Sequence, residues 1–456
     1  MKHKYDGLPV EQIQLNARES LGALDYGRQM IGVGGANRMP VPESIRPRVK
    51  ALGHRMVRVF LQEYFFIYPE HGVFDWTRLD AFMDSLEQMG VKVLASICIK
   101  PKPLYPKVDP TVFMPNDAEE WKRVIRELVR RYSVERPLVS HWGVANEINI
   151  GENGGCPHEI KDPKDYFAFY QLTSQAILEA FPQAKVGGPS VAGFDYDYLE
   201  QFVELCRANG APLDFISYNI YSGRPADHAD AARKAKALAQ RYGREVEVYQ
   251  TELNTSFPQA YIEEAAYSGR YAASLAAVLM DLNETPISGS FQFDMYDAWV
   301  DPDDFERFYS VTPFMLRHWN EIPHRFGLFD LDGRVRPQFY VYQMLGRMRG
   351  ERLRAQSTSP LIRAAASRER GAYRLMAVNY GEEDGGDRVA GIRMSGIERG
   401  LYRLEVFRID DGAHYDQARL IPTESRLTYA LSEFSIQVLL PEDSVSLIQL
   451  TPQKAD

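Results

Sequence analysis

His141-Trp142-Gly143-Val144-Ala145-Asn146-Glu147-Ile148-Asn149 runs from a buried strand into a loop and sets an amide and an acid side by side at the strand's end. Val139, Trp142, Val144 and Ala145 call for a dry core. A glutamate delivered to that core is costly to desolvate unless something pairs with it. The bland reading is a sheet or barrel strand that ends in polar residues. The sharper one is a catalytic acid whose pKa is raised by burial.

Outward from this stretch, apolar runs alternate with amphipathic ones. The strands expected are Met30–Gly34, Arg55–Phe60, Val91–Ile97, the opening stretch, Ala184–Gly188, Phe215–Tyr221, Val246–Glu252 and Gly289–Asp294. The helices expected after them are Pro42–Leu52, Trp76–Met89 with Gly90 as its stop, Asp117–Tyr132, Lys164–Phe181, Tyr196–Asn209, Ala226–Tyr242, Tyr261–Leu282 and Arg336–Met348. Strand–helix pairs at a spacing of about 40 residues fit a (β/α)8 TIM barrel better than an open doubly wound sheet. Gly32-Val33-Gly34-Gly35 falls short of a GxGxxG phosphate fingerprint, and its glycines are read as allowing close barrel packing.

Past roughly residue 350 the pattern changes. Leu361–Ala364, Tyr373–Val378, Tyr402–Phe407 and Ser444–Leu450 read as strands, separated by turns such as Gly381–Gly386. The expected organisation is an N-terminal segment 1–27, a catalytic barrel 28–350 and an antiparallel β-sandwich 351–456, with Gln12–Leu15 adding a strand to the sandwich.

A net charge of −9 argues against a nucleic-acid surface. No run of about 18 apolar residues and no signal-peptide pattern occur, so neither a membrane span nor export is supported. Cys98, Cys156 and Cys206 are odd in number and lack metal-type spacing, which suits a cytoplasmic location, and Cys98 sits in an apolar strand as a core residue. The nine histidines are scattered, with no His-x-His on an early strand, so a metal-dependent barrel hydrolase is not expected. No metal and no organic cofactor are implied.

In a (β/α)8 barrel the chemistry lies at the C-terminal ends of the strands. The polar residues there are Arg58, Asn146, Glu147, Asn219, Tyr221, Glu252, Asp294 and Asp297. Glu147 and Glu252 each end a hydrophobic strand. Across a barrel mouth two such carboxyls can stand about 5–5.5 Å apart, as in retaining glycosidases, or about 6.5–9.5 Å, as in inverting ones. Burial against Trp142 and the charge of its partner would keep Glu147 protonated as the acid. Arg58 and the Tyr221 hydroxyl would hold Glu252 ionised as the nucleophile. Asn146 would bind the sugar 2-hydroxyl. The structural alternatives are a buried Arg58–Glu252 pair that merely closes the barrel, a core Tyr221 and a loop-capping Asp297. Phe293 in the eighth strand, and Asp297 and Trp299 after it, are further candidate substrate contacts. The loop Gly151–His158 is a candidate lid or cleft wall, with His158 either a contact or a solvated loop residue.

Trp142-Gly143-Val144-Ala145-Asn146-Glu147 resembles the Trp-x-x-x-Asn-Glu acid/base motif of the glycoside hydrolase clan A barrels. Several other stretches resemble family 39, the β-xylosidase and α-L-iduronidase family. Thr251–Ser256 is similar to its nucleophile segment, Asp214–Tyr221 to its sixth strand, Phe74-Asp75-Trp76 through Leu79-Asp80 to its second helix, and Val186-Gly187-Gly188-Pro189 to its fifth strand. The resemblance covers most of residues 28–350 and implies Glu147 as acid/base and Glu252 as nucleophile. Departures fall in the sugar subsite. The family commonly has His where Asn219 stands, His near Phe60, and Trp near Phe293 or Ala145.

The expected function is therefore a retaining, β-xylosidase-like or related exo-glycosidase acting on a carbohydrate substrate. Another pyranose or an endo-acting cleft on a polysaccharide is left open by those departures. A non-catalytic carbohydrate-binding barrel is the alternative of another class, and a homo-oligomer is compatible with the sequence.

Overall fold

Residues 5, 7–34, 38–256, 266–305, 316, 320, 327–383, 385–412 and 419–453 are described by the structure, a computed structural model. Residues 1–4 and 6 of the expected N-terminal segment, Gly35, residues 261–265 of the expected seventh helix and Asp384 of the Gly381–Gly386 turn lie outside them.

A strand β1 (Val10–Ala23) precedes eight parallel strands that close into a barrel: β2 (Gln29–Gly32), β3 (Met56–Gln62), β4 (Lys92–Cys98), β5 (Val139–Val144), β6 (Lys185–Ala192), β7 (Phe215–Tyr221), β8 (Glu247–Asn254) and β9 (Gly289–Gln292). Helices cover their outer faces, so the strands are buried on both sides and read as near-continuous apolar runs. The helices are α1 (Arg46–Leu52), α2 (Thr77–Met89), α3 (Ala118–Val129), α4 (Pro163–Ala180), α5 (Tyr196–Asn209), α6 (Pro225–Gln240), α7 (Gly269–Asn283) and α8 (Pro337–Arg347). Their ends follow local chemistry. Gly90 and Gly210 take left-handed backbone just past α2 and α5, and the Asp117 and Asp195 side chains accept backbone N–H groups at the starts of α3 and α5.

The barrel interior is layered. Met30, Met56, Leu94, Phe215, Tyr249 and Phe291 form an apolar plug at the N-terminal end. Two residues further along β3 and β4 the interior turns polar, with Arg58 Nε donating to Ser96 Oγ at 3.2 Å. The period of two along a strand thus carries the interior from sealed floor to reactive mouth.

The second sheet has nine strands in the order β15-β14-β17-β12-β11-β10-β1-β13-β16. Its strands after the barrel are β10 (Glu351–Ser357), β11 (Ile362–Glu369), β12 (Ala372–Asn379), β13 (Arg388–Ser395), β14 (Gly400–Ile409), β15 (Pro422–Ala430), β16 (Glu433–Leu440) and β17 (Ser444–Pro452). Pairing is antiparallel except between β1 and β13, which run parallel. Inward residues from both halves, such as Leu375 and Ile392, share one apolar cluster, so the sheet folds over on itself. The N-terminal strand lies inside this sheet and is longer than Gln12–Leu15. Met376, Val378, Val445 and Leu447 pack into the barrel's own core, and Arg363 makes a two-pronged pair with Asp281 of α7 at 3.0 and 3.1 Å.

Candidate active site

A bulge decides where Glu252 points. Tyr218 pairs with Gln250 but Asn219 pairs with Glu252, so Thr251 is an extra residue in β8. Tyr249 faces the barrel plug and Gln250 faces outward to His228 of α6. Strict alternation would then turn Thr251 in and Glu252 out. The bulge brings both to the interior: Thr251 Oγ donates to Asn219 Oδ1 at 2.8 Å, and Glu252 accepts from Arg58.

At the end of β5 the chain does something comparable. Ala145 and Glu147 both take left-handed backbone, at φ 65° and 43°, which non-glycine residues rarely adopt. The Glu147 N–H is anchored on Ser190 O at 2.8 Å. Consecutive residues Asn146 and Glu147 can in this way both reach the mouth.

One hydrogen-bonded network joins the two acids. Tyr221 Oη donates to Glu252 Oε2 at 2.5 Å, and Arg58 donates to Glu252 Oε1 at 2.8 Å. The same guanidinium donates to Asn146 Oδ1 at 2.6 Å. Asn219 Nδ2 donates to that oxygen at 3.3 Å and to Glu147 Oε1 at 2.8 Å. Phe60 lies under the Arg58 guanidinium, 3.9 Å from ring centroid to carbon, and Phe293 sits edge-on to both Phe60 and Tyr221.

The two carboxyls are treated differently. Glu252 receives a charged donor and a phenol. Burial pushes the Tyr221 hydroxyl well above its ordinary range, with the Glu252 charge adding to it, so the phenol keeps the proton it donates. Glu147 receives a neutral amide. Burial, and after it the charge of Glu252, push Glu147 well above the usual carboxylate range, against the opposing pull of Asn219 and Arg58.

The source of that burial is not Trp142. The indole points into the helix layer, where its N–H donates to Ser133 Oγ at 3.0 Å. Glu147 is covered instead by the turn Gly151–Gly154, and a side chain on Gly154 would stand 2.6 Å from Glu147 Cβ. The loop is tied down, with Gln62 Nε2 donating to Gly155 O at 2.6 Å and Ile160 N to Ile148 O at 2.7 Å. It forms a wall of the mouth.

His158 is neither a substrate contact nor a solvated residue. It is fully buried between Tyr105 and Phe169, its Nε2 lies 3.2 Å from Ile99 O, and burial drives its pKa down to about 3. Asp297 is occupied too: both of its oxygens accept from Arg336, at 3.0 and 2.6 Å, and Oδ1 also accepts the Gly327 N–H at 3.0 Å. Trp299 is 63% exposed and stands outside the network. Of the ten candidates, the structure gathers Arg58, Asn146, Glu147, Asn219, Tyr221, Glu252 and Phe293 at one mouth.

Two residues escaped the sequence reading: Thr251 orients the Asn219 amide, and Gly154 admits Glu147. Asp294, placed at the mouth without a role, is a buried carboxyl pushed well above its ordinary range by burial and then by Asp297. The adjacent Gly154-Gly155 pair was a signal for close backbone approach. Nothing in the sequence marks the bulge at Thr251. Among the described residues no group of three or more His, Cys, Asp or Glu is placed to hold a metal ion, and no helix is long and apolar enough to cross a membrane.

Known proteins share this architecture. A monomeric beta-xylosidase from Caulobacter crescentus CB15 superposes with a TM-score of 0.78 over 98% of this chain and 100% of its own, at 18% identity. In sequence, a beta-xylosidase of Caldicellulosiruptor saccharolyticus is 28% identical over 342 residues, 67% of this chain and 64% of that protein. A beta-xylosidase of Geobacillus stearothermophilus is 22% identical over 61% of this chain and 57% of its own length. The matched stretch thus spans less than two thirds of either relative. The model of glycosyl hydrolases family 39 matches residues 44–381, a span that takes in β3 to β9, both glutamates and the first strands of the second sheet. The chain belongs to glycosyl hydrolase family 39.

Proposed function

We propose that the protein is a retaining glycosidase in which Glu252 is the nucleophile and Glu147 the acid/base. The observation that carries this reading is the unequal treatment of two carboxyls within one network: Glu252 is held by Arg58 and Tyr221, and Glu147 is buried beside it with a neutral donor. In the first step the Glu252 carboxylate attacks the anomeric carbon while Glu147 gives its proton to the departing glycosidic oxygen. In the second, Glu147 takes a proton from water, the water oxygen attacks the same carbon, and the bond to Glu252 breaks. Proton donor, nucleophile and water account for the chemistry without a metal or organic cofactor.

The substrate we favour is a β-xyloside-like glycoside or oligosaccharide cleaved from its end, because two sequence relatives are named beta-xylosidases. Asn219, Phe60 and Phe293, where the family commonly has His or Trp, leave another pyranose open as the alternative. Action in a reducing compartment such as the cytoplasm is part of the proposal, supported by three buried free cysteines.

The test is a panel of aryl glycosides and defined oligosaccharides, followed by azide rescue of Glu252→Ala on the best aryl substrate. The expected product is a glycosyl azide of inverted anomeric configuration. Its absence would remove Glu252 as nucleophile, internal cleavage of the oligosaccharides would replace exo with endo action, and binding without turnover of any substrate would leave a non-catalytic barrel.

A further inference from the structure

Beyond the ends of β3 and β4 the mouth has a second depression, a cavity of about 540 Å³ whose lining includes Glu63, Phe66, Lys100, Lys102, Tyr105 and Lys107. That volume lies in the ~300–1,000 Å³ range of small-molecule sites. The loop that covers Glu147 is tied to residues at the ends of both strands. Its Gly155 carbonyl accepts from Gln62, and its Pro157 carbonyl accepts from Lys100 Nζ at 3.0 Å.

Charge sets this depression apart. The chain is net negative by 9, yet three lysines converge here, and among the described residues none of them makes an ion pair. Glu63 is the one carboxyl in the lining. It is 4% exposed, its Oε2 accepts the Lys100 backbone N–H at 2.8 Å, and burial raises its pKa to about 8. Near neutral pH it therefore sets little negative charge against the lysines. Burial lowers the Lys100 pKa to about 8, and the other acids close to its ammonium are the buried Glu152 and Asp109, which also faces Lys107 and whose Oδ1 is held ionised by the Thr111 N–H and hydroxyl at 2.9 and 2.7 Å. The Lys100 ammonium donates to the Asp109 and Pro157 carbonyls and lies 5.4 Å from the Tyr105 ring centroid. Lys102 and Lys107 are exposed.

Shape adds the second half. Phe66 sits just past the short turn Glu63–Phe65 in left-handed backbone at φ 54°, a conformation that a bulky residue rarely adopts. It gives the cavity aromatic surface beside its positive edge, while Tyr105 in the same lining is 3% exposed. Aromatic surface suits the C–H face of a sugar ring, and lysines suit an anion whose geometry is not fixed.

We propose that this depression is a subsite for a sugar unit bearing an anionic group, a carboxylate or a sulfate ester, held by Lys102 and Lys107 with its ring against Phe66. It rests on the reading of the adjoining mouth as a glycosidase site, and names a charged glycan as the class of substrate that spans both.

The test measures binding to the full chain at low salt, using glucuronate, glucose 6-sulfate, methyl glucoside and inorganic sulfate as probes. One or both charged sugars should bind about tenfold or more tightly than methyl glucoside and inorganic sulfate, the tighter of the two identifying the anion. The Lys102→Ala/Lys107→Ala double variant should lose about tenfold of that affinity and keep its kcat/KM on a neutral aryl glycoside. Equal binding of charged and neutral sugars, or unchanged binding in the double variant, would overturn the proposal. So would inorganic sulfate binding as tightly as the sugars, which would leave an anion site with no place for a ring. Glu252→Ala separates the two readings. Lost turnover with no discrimination among the probes sinks the subsite alone, whereas retained turnover with lysine-dependent binding sinks the nucleophile assignment and leaves the subsite standing.

Discussion

Asn219 turns its amide nitrogen to Glu147, 2.8 Å from Oε1, because its amide oxygen is already taken by the Thr251 hydroxyl at 2.8 Å. The donor favours the ionised form of Glu147 and opposes the upward push of burial. Removing it in Asn219→Ala raises the pKa of Glu147 further. In the proposed role Glu147 must be protonated to serve the leaving group, so the basic limb of kcat/KM on a poor-leaving-group glycoside is expected to move to higher pH. A limb that stays put or moves down would separate Asn219 from the acid.

Glu252 acts on Glu147 through charge. Its negative charge is the second cause of the raised Glu147 pKa, after burial. In Glu252→Gln that charge is gone and the Glu147 titration moves down, while burial keeps it above the usual carboxylate range. Carboxyl-carbon NMR titration of the variant reads this directly. A Glu147 value unchanged from the parent would mean that the two acids do not sense each other.

Gly154 is a steric prediction. An added methyl would meet Glu147 Cβ at 2.6 Å, and that atom cannot swing aside as the end of a flexible chain could. Gly154→Ala should therefore shift the acid and lower kcat by roughly 100-fold, the scale of an ångström-sized misplacement. Steady-state kinetics with parent-like stability would confirm a local cause, and full activity would show that the wall yields.

Asp297 and Arg336 are each about 1% exposed at the side chain and joined at 2.6 Å. Asp297→Asn leaves a buried guanidinium without its counter-charge and should cost about 3–5 kcal/mol of stability in denaturant unfolding. The folded variant should keep its KM on aryl glycosides. A raised KM with unchanged stability would return Asp297 to the substrate.

The barrel was legible because its strands are buried on both faces and its helices carry glycine and aspartate punctuation; each of the eight strands was located from apolar runs such as Val91–Ile97. The pairing of Glu252 with Arg58 and Tyr221 was also legible, since all three are polar side chains on otherwise apolar barrel strands. The bulge at Thr251 was not, because one unpaired residue leaves no trace in a hydrophobic pattern. Trp142 and His158 were misplaced for a related reason. Which face of a strand a residue occupies, and whether a loop folds inward, depend on partners distant in the chain. In the second sheet, β10, β13, β15 and β16 were missed because their exposed faces are polar or charged, as in Pro422–Ala430, where burial is slight.

The placement of β1 bears on how the molecule is made. Gln12 bonds to Thr358, 346 residues later, and β1 lies between β10 and β13. At ribosomal speeds of ~5–20 residues per second, its partners arrive roughly 20 to 70 s after it does. Through that interval both edges of β1 are bare, and bare edges recruit other chains. A strand made before the barrel is thus satisfied only after it, and the nascent protein carries an open β-edge for as long as its barrel is being built.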